Sequence, residues 1–495
     1  MYLLGYDLGS SSIKAALVEV RSRKMVALES YPETEMEILS KEIGWAEQDP
    51  SVWWKNVQKA TEKVLEAYPV ETSLIKGIGI SYQMHGLVVV DKKQESLRPS
   101  IIWCDSRAVE IGKEAFSKIG EEFCLKHLLN SPGNFTASKL RWVQQNEPSI
   151  FQNIDKIMLP GDFIAMKMTG KACTTISGLS EGMMWDFQNE KLASFLLEHY
   201  GIKEELIPEI VPSVSCQGTL TKKAADFLGL PEGIPVGYRA GDQPNNAMSL
   251  GVLNPGEVAA TGGTSGVVYG VVDKPAIDTK TRVNGFAHVN HAPEKPRIGV
   301  LLCINGSGIQ YSWVKQLMAD PGMNYPDLEH QASQVPVGSD GLRIIPFGNG
   351  AERVLENKNP GGHFINLQFN RHKKAHIYRA ALEGIANAFI YGMEIMQDMR
   401  LDVGVIKVGN DNLFQSEIFS TTIATVIGCE IHMMETTGAV GAAKAAGVAA
   451  GLYSSLEAAF ENMEPVKVYK AAGEAAPYRA SYKLWKEDLE KILKQ

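Results

Sequence analysis

Two segments of the sequence have residue types suited to holding a phosphate group. In GYDLGSSSIK (5–14), Asp7 ends an apolar run and is followed by a glycine and three serines. A tight turn of this composition directs backbone N–H groups and hydroxyls at one anion, and Asp7 can hold a magnesium ion through water. In TGGTSG (261–266), the adjacent glycines Gly262 and Gly263 and the hydroxyl residues Thr264 and Ser265 form a second turn of this kind. Either segment alone also fits a plain hairpin turn.

Together, the two turns can clamp one triphosphate, because one lies in each half of the chain. The sequence has no GxxxxGK[ST] motif, and no GxGxxG follows a predicted strand. A P-loop enzyme and a Rossmann dehydrogenase are therefore both disfavoured.

Two further segments have candidate acid–base or sugar-contacting groups. In AGDQPNNA (240–247), Asp242 stands among glycine and amide residues, as a carboxylate that accepts a hydroxyl proton can. In QMHG (83–86), Met84 and His85 lie between two apolar runs and can line a sugar pocket. His85 is a second candidate base by its ordinary pKa. The alternatives are a structural turn aspartate, a packing methionine and a hydrogen-bonded core histidine.

Composition excludes several classes of protein. The 495 residues carry 49 Lys and Arg against 57 Asp and Glu, a net charge of −8, which argues against nucleic acid as a partner. Six scattered cysteines without a CxxC pair indicate reduced thiols in a cytosol rather than a zinc cluster or disulfides. The N-terminus lacks a basic leader. The apolar stretch 439–453 is interrupted by Lys444 and predicts a small-residue helix packed closely inside the protein. We therefore predict a cytoplasmic protein without membrane spans.

The elements around these motifs predict an α/β fold. Residues 2–20 and 256–272 each have the pattern of a β-hairpin, half a chain apart, so two related domains are expected to face one another. A helix is predicted after Asp49-Pro50, with two buried strands in 75–91. Further predictions are a long helix over 375–399, strands over 403–408 and 342–347, a turn at 409–412 and a surface helix at the C-terminus. We place the domain boundary at 240, giving domains 1–240 and 241–495.

The ordered series of motifs resembles the FGGY carbohydrate kinases over essentially the full length of the chain. The segments that carry the resemblance are GYDLGSSSIK, GWAEQDPSVWW (44–54), SYQMHGLVVVD (81–91), IIWCDSRA (101–108), NFTASKLRWVQQNEP (134–148), KIMLPGDFIAMKMTG (156–170), AGDQ, TGGTSG, GGHFINLQFNRHKKAHIYRAALEGIA (361–386) and TTGAVGAAKAAGVAAGLY (436–453). The resemblance implies two actin-like, ribonuclease-H-like domains that close on substrate in an interdomain cleft.

The resemblance also implies a role for individual residues, with ATP and Mg²⁺ as cofactors. Asp242 matches the general base. The implied sugar contacts are Met84, His85, Gln243 and Asp242; the implied nucleotide contacts are Asp7, Ser10, Ser11, Gly263, Thr264, Ser265, Gly409 and Asn410; and the implied metal-binding carboxylates are Asp7 and Asp242. A homodimer is compatible with the resemblance.

Within the family, the MHG triplet and the LPGDF…MTG stretch are most similar to the xylulokinases, which implies conversion of D-xylulose to D-xylulose 5-phosphate. Two other readings stay open: a kinase for another ketose or polyol (ribulose, fuculose or glycerol), and a non-catalytic sugar- or nucleotide-binding protein. The sequence departs from the family pattern at three places. GNDN (409–412) replaces a Gly-Gly-Gly turn, Gln243 stands where xylulokinases commonly have Asn, and Asn366 stands where Gly is usual.

Overall fold

Strands and helices alternate along the chain, as the α/β prediction requires. The computed structural model describes residues 1–399, 401–410 and 412–495. The strands are β1 Tyr2–Leu8, β2 Ile13–Glu19, β3 Met25–Tyr31, β4 Glu47–Gln48, β5 Ile75–Tyr82, β6 Val88–Val90, β7 Ser100–Ile101, β8 Lys156–Met158, β9 Cys173–Thr174, β10 Trp185–Asp186, β11 Lys191–Leu192, β12 Glu209–Ile210, β13 Val236–Gly241, β14 Val258–Gly262, β15 Gly266–Val272, β16 Asn284–Ala287, β17 Ile298–Ile304, β18 Arg343–Ile345, β19 His363–Ile365, β20 Val405–Gly409, β21 Glu430–Met434 and β22 Lys467–Tyr469.

The helices lie between these strands and on both sides of the larger sheets. They are α1 Pro50–Ala67, α2 Val109–Ile119, α3 Glu121–Leu128, α4 Thr136–Asn146, α5 Pro148–Phe151, α6 Pro160–Thr169, α7 Ile176–Glu181, α8 Ser194–Tyr200, α9 Lys222–Leu228, α10 Asp242–Ser249, α11 Gly308–Met318, α12 Tyr325–Ser333, α13 Lys374–Asp398, α14 Glu417–Ile427, α15 Gly438–Ala449, α16 Leu456–Ala459 and α17 Ala476–Leu493.

Two sheets repeat one plan, and each contains one of the predicted hairpins. The first sheet has the order β13-β5-β1-β2-β3, with β1 antiparallel to β2 and parallel to β5. The second has the order β16-β17-β15-β14-β20-β21-β22, with β14 antiparallel to β15 and parallel to β20. The predicted hairpins at 2–20 and 256–272 are therefore confirmed. In both sheets a Gly- and Ser/Thr-rich turn follows a strand that also pairs in parallel with a later strand.

Helix α15 has an unusual position, because it belongs to the second half of the chain but packs on the first sheet. It lies against β1, β5 and β13, and all of its alanines except Ala449 are buried. Glycines in the strands allow this close approach. A Cβ at Gly79 would lie 2.6 Å from the carbonyl carbon of Ala442, and one at Gly5 would lie 2.7 Å from the backbone nitrogen of Ala443. The predicted small-residue helix, packed closely inside the protein, is confirmed.

Several predicted boundaries move by one or two residues, as helix and strand ends commonly do. The long helix is Lys374–Asp398, and the strands expected over 403–408 and 342–347 are Val405–Gly409 and Arg343–Ile345. Asp49 caps α1 through its side chain, as predicted. Residue 411 of the GNDN turn lies outside the described residues.

The C-terminal helix differs from its prediction as a surface helix. Although α17 is charged on one side, it buries Tyr482, Trp485 and Leu489 against the second sheet's core, and the Trp485 indole donates to the Ile344 carbonyl at 2.8 Å. In the described part of the chain, no helix is both long and apolar enough to cross a membrane. The division into domains 1–240 and 241–495 stays a prediction.

Candidate active site

Asp242 lies at the junction between the last strand of the first sheet and the helix that follows it. Strand β13 ends at Gly241, and α10 begins at Asp242 itself. The carboxylate therefore stands at a helix N-terminus, where backbone N–H groups have no intrahelical partners and favour negative charge. Burial raises the pKa of Asp242, and the backbone N–H groups of Gln243 and of Asp242, which stabilise the charged form, offset only part of that rise. The Gln243 side chain lines a small cleft of about 150 Å³.

Asp7 lines the same cleft from β1. Its Oδ1 accepts a hydrogen bond of 3.0 Å from the Ser81 hydroxyl on the neighbouring strand β5. It lies opposite Lys14 across the first hairpin, and Lys14 also lines the cleft. The amino end of α15 closes this region, because a Cβ at Gly438 would lie 2.8 Å both from Asp7 Oδ2 and from the Asn246 side-chain oxygen of α10.

The charge of Asp7 affects the ionisation of Asp242. Burial and the nearby charge of Asp7 raise the pKa of Asp242 to about 7. Burial also raises the pKa of Asp7, while Lys14 and the Ser81 hydrogen bond lower it. A carboxyl group whose pKa lies near neutrality is suited to accept a proton at that pH.

The raised pKa of Asp242 has a consequence for stability. The folded chain keeps this proton up to about pH 7, whereas the unfolded chain releases it near 3.8. The stability that this group contributes is therefore present at low pH and is lost as the pH rises through that window. Asp242→Asn has no such proton to lose. We expect its advantage in free energy of unfolding over the wild type to grow by about 1–3 kcal/mol between acid and neutral pH.

Chemical denaturation of both proteins in EDTA across that pH range measures the difference. An advantage that does not change with pH would show that the folded state does not perturb Asp242.

Met84 and His85 follow β5 and lie beside the start of α10. Met84 is buried, and its Cγ would lie 2.5 Å from a Cβ placed on Gly241. The His85 Nδ1 bonds the Glu181 backbone carbonyl at 3.0 Å. Because that carbonyl can only accept, Nδ1 carries the hydrogen and Nε2 is left as an acceptor.

The ring of His85 is unsuited to act as the base. It packs edge-on against Phe135, with ring centroids 4.7 Å apart. Burial, with smaller contributions from Lys139 and Arg353, lowers the pKa of His85 to about 3. A neutral imidazole of such low basicity is a poor proton acceptor compared with Asp242.

The turn after β14 borders a larger cavity of about 820 Å³. Gly263 and Thr264 line it, and their carbonyls accept hydrogen bonds of 3.0 and 3.1 Å from the backbone of α11. The cavity adjoins the small cleft, since Thr261 lines one, Gly262 lines the other and Asn412 lines both. Its remaining lining residues are Gly308, Ile309, Tyr311, Ser312, Tyr325, Pro326, Glu329, His330, Ser333, Leu413, Gln415, Ser416, Glu417 and Ile418.

The other residues predicted to contact the nucleotide do not all line the two cavities. Gly409 lines the small cleft at the end of β20. Asn410 is hydrogen-bonded to Glu435 and accepts from Gln415 through its backbone. The turn after β1 holds Ser10, whose hydroxyl accepts at 3.4 Å from the Trp103 indole, and the exposed Ser11. Ser265 lies in the turn between β14 and β15.

The structure adds residues to this site that the sequence did not single out. Lys14 is the last residue of the first motif, but its sequence context indicated no role for it. Arg353, from the second half of the chain, bonds the Asn284 side chain at 2.9 Å and is close enough to lower the pKa of His85. Glu181, at the end of α7, lies beside Gly241. No sequence pattern indicates a role for Arg353 or Glu181, because their positions near His85 and Gly241 depend on the packing of segments that are far apart in the sequence.

The carboxylates fit a magnesium ion that is shared with phosphate groups. Asp7 and Asp242 supply the hard oxygen donors that Mg²⁺ prefers, and this ion commonly uses one or two carboxylates with phosphates and water. Residues 1–399, 401–410 and 412–495 contain no group of three or more His, Cys, Asp or Glu side chains able to hold a metal alone.

Comparison with known proteins assigns the chain to a family. Residues 2–249 match the N-terminal domain, and residues 258–450 the C-terminal domain, of the FGGY family of carbohydrate kinases. The chain is 28% identical to a xylulose kinase of Bacillus subtilis (strain 168), covering 98% of this chain and 96% of that one.

Solved structures share the fold. A xylulose kinase from Rhodospirillum rubrum has a TM-score of 0.88 at 24% identity, covering all of both chains. A Plasmodium falciparum glycerol kinase with ADP has a TM-score of 0.88 at 21% identity, covering 100% of this chain and 98% of that one. The predicted two-domain fold is thereby confirmed, and the chain belongs to the FGGY family of carbohydrate kinases.

Proposed function

We propose that this protein transfers the γ-phosphoryl group of ATP to the 5-hydroxyl of D-xylulose, giving D-xylulose 5-phosphate and ADP. The observation that carries the proposal is the Asp242 carboxyl group. It stands at the start of α10, next to Gln243, which lines the same cleft as Asp7, and its pKa is raised to about 7. The choice of sugar is supported by relatives named xylulose kinase that align over nearly the whole chain.

The reaction needs one proton acceptor and an aligned pair of substrates. Asp242 takes the proton of the 5-hydroxyl as that oxygen forms its bond to the γ-phosphorus, and the bond from the γ-phosphorus to the ADP oxygen breaks. Most of the acceleration in such reactions comes from positioning and charge stabilisation. Asp7 and Asp242 would hold Mg²⁺, which would supply positive charge that offsets the charge of the phosphates.

The nucleotide has a site of suitable size and character. The 820 Å³ cavity offers aromatic and aliphatic surface from Tyr325, Ile309 and Leu413, as an adenosine group requires. The adjoining cleft receives the phosphates, where Lys14 contributes positive charge. The amino end of α15 also faces this cleft through Gly438, and helix N-termini favour phosphate groups.

His85→Ala is expected to weaken sugar binding more than it affects the nucleotide. The His85 ring is fixed by the Glu181 carbonyl, and its Nε2 can accept a sugar hydroxyl. Loss of that hydrogen bond and of the packed ring should raise the sugar KM by about tenfold, with the ATP KM within about twofold. Steady-state kinetics with each substrate varied measures the split. His199→Ala, at an exposed histidine, is the control, and an equal rise in both KM values would contradict the sugar-side role.

ADP release with ATP and Mg²⁺ across a panel of acceptors tests the proposed function. The panel contains D-xylulose, L-xylulose, D-ribulose, L-ribulose, L-fuculose and glycerol. We expect the highest kcat/KM with D-xylulose. A preference for another member would replace the sugar but keep the phosphoryl transfer, and no acceptor-stimulated turnover with any member would favour a sugar- or nucleotide-binding protein.

A further inference from the structure

Glu181 is a buried carboxylate whose two oxygens accept no hydrogen bond of regular geometry in the described part of the chain. It is only 1% exposed, and both of its carboxyl oxygens are inaccessible and unpaired. Two other buried carboxylates are paired with arginine: Asp162 lies 2.7 Å from Arg239, and Glu383 lies 2.8 Å from Arg379. Native proteins rarely leave a buried carboxylate without a partner, because its desolvation is not compensated.

The position of Glu181 is next to the proposed acceptor site. A Cβ at Gly241, the residue that precedes Asp242, would lie 2.5 Å from Glu181 Oε2 and 2.5 Å from Met84 Cγ. The carboxyl group and the Met84 side chain therefore lie against the same face of Gly241. The backbone carbonyl of Glu181 also fixes the ring of His85. Glu181 therefore lies near three of the four residues proposed to contact the sugar, namely Met84, His85 and, through Gly241, Asp242.

The surroundings of Glu181 show what would satisfy it. The Tyr82 hydroxyl approaches the carboxyl group, but the pair lacks the geometry of a hydrogen bond, and the Tyr82 hydroxyl is itself unpaired. Burial raises the pKa of Glu181 well above its usual range, and the charges of Asp242 and Asp162 raise it further. A protonated carboxyl group can both donate and accept, as a sugar hydroxyl can.

We propose that Glu181 is a specificity-determining residue, whose carboxyl group binds a hydroxyl of the acceptor sugar other than the one that is phosphorylated. The inference rests on the proposed function, since it needs a polyhydroxylated acceptor at this site. A site built to hydrogen-bond a substrate hydroxyl rejects an analogue that lacks it, because the buried partner is then left unpaired. Glu181 would reject sugars that place hydrogen or a misdirected hydroxyl at that carbon.

The test compares wild type, Glu181→Gln and Glu181→Ala on the best acceptor of the panel and on its single-deoxy analogues. Each analogue lacks one hydroxyl but keeps the one that is phosphorylated. Wild type should prefer the parent sugar over one particular analogue by about 10- to 100-fold in kcat/KM. In Glu181→Ala that ratio should fall to within about threefold of unity, while the ratios for the other analogues change little. Glu181→Gln should retain part of the preference.

A structural role gives a different pattern in two measurements. If Glu181 only supports the fold, the variants should lower kcat/KM by one common factor for the parent and every analogue, and this result would overturn the proposal. In the absence of sugar, removing an unpaired carboxyl group should leave Tm unchanged or raise it, as at other strained functional sites.

Asp162→Asn is the matched control, because Asp162 is equally buried but paired with Arg239. It should lower Tm and leave the deoxy ratios as in the wild type. The wild-type rate on D-xylulose reports on the proposed function by itself, whereas the ratios report on Glu181, so the two failures are distinguishable. Unchanged ratios in Glu181→Ala would also overturn the inference.

Discussion

Asp242→Asn should reduce kcat for sugar phosphorylation by about 10³-fold or more while nucleotide binding stays near that of the wild type. Asparagine keeps the size of the side chain at the start of α10 but cannot accept the hydroxyl proton. The nucleotide cavity at Gly263 and Thr264 is formed by other elements, so ADP should bind with a Kd within about threefold of the wild-type value. Single-turnover kinetics, with titration of ADP, measure both quantities.

Gln243→Asn is the matched comparison for this variant. It changes the adjacent side chain, which also lines the cleft, but removes no proton acceptor, so kcat should stay within about tenfold of the wild-type value. If Asp242→Asn also retained kcat within that range, the general base would have to be another residue, and the proposed role of Asp242 would be wrong.

The second large effect concerns folding rather than chemistry. Gly79→Ala is expected to lower the free energy of unfolding by about 3 kcal/mol, because overpacking against a rigid backbone cannot be relieved by rotation of a side chain. The added Cβ would lie 2.6 Å from the carbonyl carbon of Ala442. Helix α15 would have to move away from β5, which would also displace its amino end at Gly438 from Asp7.

Gly404→Ala separates this clash from the general effect of replacing glycine. A Cβ at Gly404 would have no neighbour within 4 Å, so its stability should change by less than about 1 kcal/mol. Chemical denaturation compares the two variants with the wild type. Equal stabilities for the Gly79 variant and the wild type would show that α15 is not held in close contact with the first sheet.

The sequence was sufficient to predict the elements whose signals are local. The hairpins around Asp7 and Thr264 combine apolar strands with Gly- and Ser/Thr-rich turns, and the α1 cap is contained in Asp49-Pro50; both predictions are confirmed. The order of the motifs along the chain identified the resemblance to the FGGY family, and that resemblance implied the two-domain fold. The α17 prediction was wrong in part, because its apolar residues are few and their burial depends on the second sheet's core.

Tertiary structure alone decided which distant residues share the site. The sequence identified Asp7 and Asp242 separately, but the effect of Asp7 on the pKa of Asp242 arises because β1, β5 and β13 are neighbours in one sheet. Glu181 and Arg353 gave no local signal, since an unpaired carboxylate or a guanidinium beside His85 is defined by neighbours from other segments. Helix α15 likewise reads as an internal small-residue helix, but the glycines that admit it lie more than 350 positions earlier on β1 and β5. Local structural propensity depends on residues that are adjacent in the sequence. Burial, charge coupling and close packing arise only when folding brings distant residues together.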